Sequence, residues 1–226
     1  MVFKLSASSL KLMKDCSTCF WWQVKKGIRR PPGPMSQLPN RVERLILNRF
    51  NEYRIKGKLP PELSSLKGMQ LLKNQKLHDE WKNKGLSYID NKNNFRLIAK
   101  PDDVLENENK YVILDYKTTG SNPENCTDEK FKDDIEKYDY QLQVDVYNYV
   151  FRKNNLSTEN FAYFLFIYLM EIDNKGKLTF GSKLAKTKIN IKNVEKTLNI
   201  ALNILKKENP PKDGCPFCLA VDDRSK

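Results

Sequence analysis

The chain has 226 residues, enough for one sizeable hydrophobic core, and nothing in it reads as a linker between two comparable halves. Its 40 basic against 28 acidic side chains give a formal charge of +12, which favours a polyanionic partner, nucleic acid above all, although lysine- and asparagine-heavy usage alone also yields basic chains. Met1 leads into VFKLSASSLKLMK without an apolar leader, and the most apolar run, Phe161 to Met170, falls far short of the roughly 20 residues of a membrane-crossing helix, so a cytoplasmic location without membrane contact is the expectation.

In chain order, LSASSLKLMKDC opens with serines suited to cap a helix, and Leu10, Leu12 and Met13 give that helix an apolar face before it ends near Cys16. Prolines, a glycine and basic side chains then predict an irregular loop over Arg29 to Pro39. NRVERLILNRFNEYRIKG spaces Val42, Leu45, Ile46, Arg49, Phe50 and Tyr53 for a helix between an Asn40 cap and a Gly57 stop. After the loop at Pro60 and Pro61, a second helical pattern covers Met69 to Lys84. LSYID, FRLIAKPDDVLE and KYVILDYKT read as strands separated by Asn- and Glu-rich turns, which predicts an antiparallel meander. A helix over DDIEKYDYQLQVDVYNYVFRKN, a doubly buried strand over 161–170, a hairpin partner near KLTFGSKLAKTKINI, a helix over Asn193 to Lys207 and a cysteine-bearing tail complete the order. That order is α/β of the α+β type: one domain, with a mixed central sheet flanked by helices.

The chemistry concentrates where YVILDYKTTG leaves its apolar run. Residues i and i+2 of a strand share a face, so Asp115 and Lys117 project together while Tyr116 points the other way. As an exposed ion pair they would be worth little. A second acidic cluster, LIAKPDDVL, ends another apolar run and places Asp102 thirteen positions before Asp115. Further on, QVDVY sets Gln143 and Tyr147 four apart on one helical face, with a solvated surface as the alternative use for both.

Pro101–Asp102 followed by the triplet Asp115–Lys117 resembles the PD-(D/E)XK phosphodiesterase superfamily. With LSASSLKLMKDC and QVDVY added, the pattern is similar to its RecB-like branch, including the CRISPR-associated RecB-like exonucleases, over Leu5 to Cys218. The resemblance implies a restriction-endonuclease-like core and a deoxyribonuclease that uses Mg²⁺ or Mn²⁺ and acts on single strands or DNA ends. In such a site Asp102, Asp115 and the Tyr116 carbonyl hold the ion, and Lys117 orients or deprotonates the attacking water. Gln143 and Tyr147 then border the metal and the substrate strand. Asp103 competes with Asp102 as a ligand; Asp102 is preferred because it follows the proline, whereas Asp103 faces the opposite side of the strand. RecB-like nucleases usually carry a histidine in an early helix, and NRVERLILNRF has none, so Glu43 is the expected substitute ahead of His78, the only histidine. Lys25, Lys26, Arg29 and Arg30 of the basic loop are candidate contacts to the DNA backbone. Protein partners in DNA repair or CRISPR-type processing follow from the resemblance alone.

CSTC at Cys16–Cys19 and CPFC at Cys215–Cys218 are two C-x-x-C pairs at opposite ends of the chain, the half-sites of a four-thiolate centre, with Cys126 left over. The RecB-like relatives join their ends with a four-iron four-sulfur cluster on one N-terminal and three C-terminal cysteines. The two-plus-two division here also describes a structural Zn²⁺ site; the resemblance favours the cluster, with zinc as the alternative. Phe20, Trp21 and Trp22 are expected to pack around the centre, with stacking on a base as their other use. Two rival readings stand beside the nuclease: a catalytically inactive member of the fold that binds nucleic acid or a partner, and a zinc-stapled adaptor.

Overall fold

The computed structural model describes residues 2–31, 36–212 and 214–218; residues 32–35 of the predicted basic loop lie outside it. The described residues form two sheets. In the smaller, β1 (Phe3–Ser6) runs parallel to β4 (Phe95–Ala99), and β3 (Leu86–Asp90) pairs antiparallel on its other side. The larger comprises β2 (Met69–Leu71), β5 (Asp103–Asn107), β6 (Lys110–Thr119), β7 (Phe161–Ile172) and β8 (Leu178–Lys188), in that spatial order. Its β6–β7 pair is parallel and the other pairs antiparallel, so the sheet is mixed, as expected.

The helices are α1 (Ala7–Asp15), α2 (Ser17–Trp21) with a π-helical turn over Trp22–Lys26, α3 (Leu38–Ile55), α4 (Gln75–Asn83), α5 (Asp128–Lys137), α6 (Tyr140–Lys153) and α7 (Ile191–Leu205). None is long and apolar enough to cross a membrane. Ser6 begins α1 through a capping box: its Oγ accepts the Ser9 N–H at 3.2 Å while its own N–H donates to Ser9 Oγ at 2.9 Å. Strand alternation divides the core. Val104, Ile113, Phe164 and Phe166 pack with α1, α6 and α7, whereas Leu105, Val112, Leu114 and Leu165 pack with α3 and Leu63.

Three predicted elements take a different form. FRLIAKPDDVLE breaks at Lys100–Asp102 because Pro101 has no N–H to add to a ladder, and its halves enter different sheets, so no three-stranded meander forms. Met69–Leu71 is a strand on β5, and the helix begins only after Asn74, whose side chain caps it by accepting the Leu77 N–H at 3.0 Å. The long helix over 133–154 is two helices, because Asp139 between them adopts φ 52°. Strand β1 and helix α2 carry no clear signal in the sequence. At the end of α4, Gly85 has φ +84°, and a Cβ there would lie 2.8 Å from Ile98 Cγ2, so glycine permits the tight turn into β3.

One polar knot sits inside the apolar packing. Asp103 of β5 is fully buried, pairs with Arg54 of α3, and accepts a hydrogen bond from Tyr116 Oη of β6 at 2.8 Å. His78 Nε2 of α4 lies 3.3 Å from the same carboxylate, off the line of a well-formed hydrogen bond. Burial would raise the Asp103 carboxyl, but the His78 contact and the Arg54 charge more than reverse it and hold its pKa below the ordinary value. Breaking one side of a buried pair leaves the other charge uncompensated, at a cost of about 3–5 kcal/mol. Asp103→Leu is expected to lose that order of stability in urea melts, and adding Arg54→Met to recover most of it. A single variant as stable as the parent would contradict this role.

Candidate active site

Asp115 and Lys117 lie on the face of β6 that packs toward α6, two residues beyond the buried Ile113. Gln143 of α6 meets both. Its Nε2 donates to Asp115 Oδ1 at 2.9 Å and lies 2.9 Å from Tyr147 Oη, while its Oε1 accepts from Lys117 Nζ at 2.9 Å. Asp115 is fully buried and forms an ion pair with Lys117 through Oδ2, an oxygen that accepts no well-aligned hydrogen bond among the described residues. Tyr140 lies alongside, its ring centroid 4.5 Å from Lys117 Nζ.

Asp102 reaches the same place from the β4–β5 break. Its Oδ2 accepts the Tyr116 N–H at 2.9 Å. The Tyr111 N–H and C=O both engage the 157–159 segment, on the β7 side of β6. Alternation along the strand therefore turns the N–H and C=O of Tyr116 toward β5, which begins only opposite Leu114. Burial, then the neighbouring Asp102 charge, push the Asp115 carboxyl up to about 7 against the opposing effect of Lys117. Burial also works against the charge on Lys117, but Asp115 outweighs it and raises the ammonium pKa. Two crowded carboxylates, one with an oxygen lacking a well-formed donor, suit a hard divalent cation.

Glu43 of α3 joins this group through Lys82 of α4, whose Nζ donates to Glu43 Oε1 at 2.8 Å and to Asp102 Oδ1 at 3.3 Å. His78 is buried in the Asp103 knot instead, one helical turn from Lys82. Lys82 and Arg54 are the polar residues that sequence reasoning missed, since each is one basic residue among 40 on a helix with other solvated positions. Of the four expected contacts to the DNA backbone, Lys25 and Lys26 lie in the π-helical turn and not in a loop, and Lys25 bonds the Lys207 carbonyl and lies 5.0 Å from the Trp21 ring centroid. Arg30 turns to the cysteines, and Lys26 and Arg29 are exposed.

The cysteine pairs meet. Cys16 and Cys19 come from the α1–α2 corner and Cys215 and Cys218 from the tail, with Sγ separations of 3.6 Å for Cys16–Cys218, Cys19–Cys215 and Cys19–Cys218, and 3.8 Å for Cys215–Cys218. All four sulfurs lie within 4.8 Å of one another. Burial foremost pushes the Cys19 thiol up to about 12, a cost that a bound cation would offset. Arg30 Nη2 lies 3.5 Å from Cys215 Sγ. Cys126 stands apart, its thiol 3.4 Å from the Asn122 carbonyl oxygen. The aromatic residues after Cys19 divide: Phe20 joins the main core, whereas Trp22 packs against the cysteines.

The chain matches none of the curated proteins in sequence. The sequence model of the PD-(D/E)XK nuclease superfamily matches residues 35–221, which include Glu43, Lys82, Asp102, Asp115, Lys117, Gln143, Tyr147 and the CPFC pair but not CSTC. That match covers most of the chain, and with it the acid, acid and lysine side chains that converge at the end of β6; the chain belongs to the PD-(D/E)XK nuclease superfamily.

Proposed function

We propose that the protein is a metal-dependent nuclease of the RecB-like kind that hydrolyses phosphodiester bonds of DNA, in single strands or at ends. The observation that carries this reading is the Gln143 clamp, which fixes Asp115 and Lys117 relative to each other beside Asp102. Asp102 and Asp115, with the Tyr116 carbonyl, are the residues that would hold Mg²⁺ or Mn²⁺, which when bound neutralises phosphate charge and acidifies water. Lys117 holds its proton where the attacking water and the equatorial phosphate oxygens must lie, orienting the one and balancing the charge that develops on the others. Gln143 keeps the ammonium aimed at that place, and Tyr147 fixes Gln143 from behind.

Two adjoining clefts support a strand as substrate. One, of about 420 Å³, runs from Gln143 and Tyr147 past Tyr138 and Tyr140 to Lys11 and Lys100. It shares Ser6, Ser8 and Ile98 with a second of about 820 Å³ that continues to Lys4, Lys25 and Arg29. Lysines beside the exposed Tyr138 and the half-buried Tyr140 suit a flexible strand, binding its phosphates by charge and its bases by stacking.

Asp115→Asn is expected to abolish cleavage of a labelled oligonucleotide in Mg²⁺ or Mn²⁺ while leaving the fold intact, and unchanged turnover would refute the assignment. Lys117→Ala should lower turnover by about a hundredfold or more while retaining Mn²⁺ affinity, because lysine serves the water and the phosphate, not the ion. Loss of Mn²⁺ affinity in that variant would instead make Lys117 part of the ion site.

For the four-cysteine centre we infer one Zn²⁺. Metal–sulfur bonds of about 2.3 Å around one ion set the sulfurs about 3.8 Å apart, close to the separations seen. In a four-iron cluster each thiolate binds its own iron outside an eight-atom core, which sets the sulfurs farther apart than a single ion does, so the separations support the single ion. Because the ligands bind as thiolates and the site forms with the fold, metal binding contributes to stability. Cys215→Ser should lose the metal and lower the Tm, whereas Cys126→Ser should change neither. Elemental analysis of anaerobically purified protein should give one zinc per chain; iron with acid-labile sulfide would overturn the inference.

A further inference from the structure

Three carboxylates converge at the end of β6, and two ammonium groups answer them. Lys117 serves Asp115 on the α6 side. Lys82 serves the opposite end of the row, bridging Glu43 and Asp102 at 2.8 and 3.3 Å, with only 18% of its side chain exposed. Its direction is imposed by the fold. His78, four residues earlier on the same face of α4, is buried 3.3 Å from Asp103, and the buried Trp81 packs its ring against Tyr111 and Phe151, so the packing of α4 sets the direction of Lys82.

In nucleases that use two divalent ions, both sit about 3.5–4 Å apart and share a carboxylate. Here the space between Asp102 and the outer acid, Glu43, is crossed by a tethered monovalent cation. The charge count agrees. With all three carboxylates ionised, as a bound cation requires of its ligands, three carboxylates and two ammoniums sum to one negative charge, which a single divalent ion inverts to one positive, matched to a phosphodiester; a second ion would leave three positive charges.

We propose that Lys82 is a positioning residue that takes the place of a second divalent ion between Glu43 and Asp102, so that the site loads one ion, held by Asp102 and Asp115. This rests on the nuclease reading of the same site. Its consequence is a count. Mn²⁺ added alone to the full chain, with the cysteine centre loaded as purified and free Mn²⁺ followed by electron paramagnetic resonance, should give one bound ion in the parent and in Lys82→Arg. It should give two in Lys82→Met, because the freed carboxylates then attract an ion, and one again when Glu43→Gln is added. The dependence of turnover on Mn²⁺ should steepen from first toward second order in Lys82→Met, a change that loss of structure would not produce. Two ions in the parent, or one in folded Lys82→Met, would overturn the role of Lys82 and leave the nuclease reading standing. No Mn²⁺ bound by the parent would overturn both.

Discussion

The buried carboxylate of Asp103 ties together the four elements on which the site is built. It joins α3 through Arg54, α4 through His78 and β6 through Tyr116, and it begins β5 itself. Each of those elements delivers one part of the site: α3 brings Glu43, α4 brings Lys82, the start of β5 places Asp102, and β6 carries Asp115 and Lys117. A buried ion pair is a poor source of net stability, since desolvation offsets most of its Coulombic gain. Its effect here is geometric, because the orphaned charge that any misalignment would create penalises every alternative packing of the four elements.

Charge at the site is arranged in the opposite manner. Burial disfavours the charge on Asp115, and the neighbouring Asp102 carboxylate adds repulsion, so the Asp115 carboxyl is pushed well above the ordinary carboxylate range. The two lysines and the Gln143 amide hold that strained pair without discharging it. A site of this kind is preorganised: the fold bears the electrostatic cost, and a ligand that supplies positive charge relieves it.

Much of the site was legible in the sequence because its residues lie at short, regular spacings on strong elements. Asp115 and Lys117 share a strand face by alternation, and Gln143 and Tyr147 share a helical face by the four-residue repeat. Alternation likewise turns Asp103 away from Asp102, and Asp103 packs with Arg54 of α3 in the layer that holds Leu105. Lys82 and Arg54 were illegible because nothing local distinguishes a lysine that bridges two acids from one that meets water; only the packing of α3 and α4 against the sheet does so. The split of the predicted meander was hidden for a similar reason. An apolar run on each side of Lys100–Asp102 reads as one strand until the two halves are seen to pair with different neighbours. The two C-x-x-C pairs were visible as half-sites, but the separation of their sulfurs is a property of the folded ends alone.

Pro101 acts as a stop on a zipper. Continuing the β5–β6 register past Asp103 and Leu114 would set Asp102 against Asp115 and Pro101 against Tyr116. A residue with an N–H at that position would have a donor for the Tyr116 carbonyl, and the ladder could close two steps further. Proline withholds the donor, the strands fork, and the Asp102 side chain takes the Tyr116 N–H that a neighbouring strand would otherwise occupy. The fork leaves the lower end of β6 paired on the β7 side alone, a notch cut into the interior of a sheet. The Tyr116 carbonyl is thereby turned toward that notch in the middle of the molecule, where a continuous sheet would have paired it.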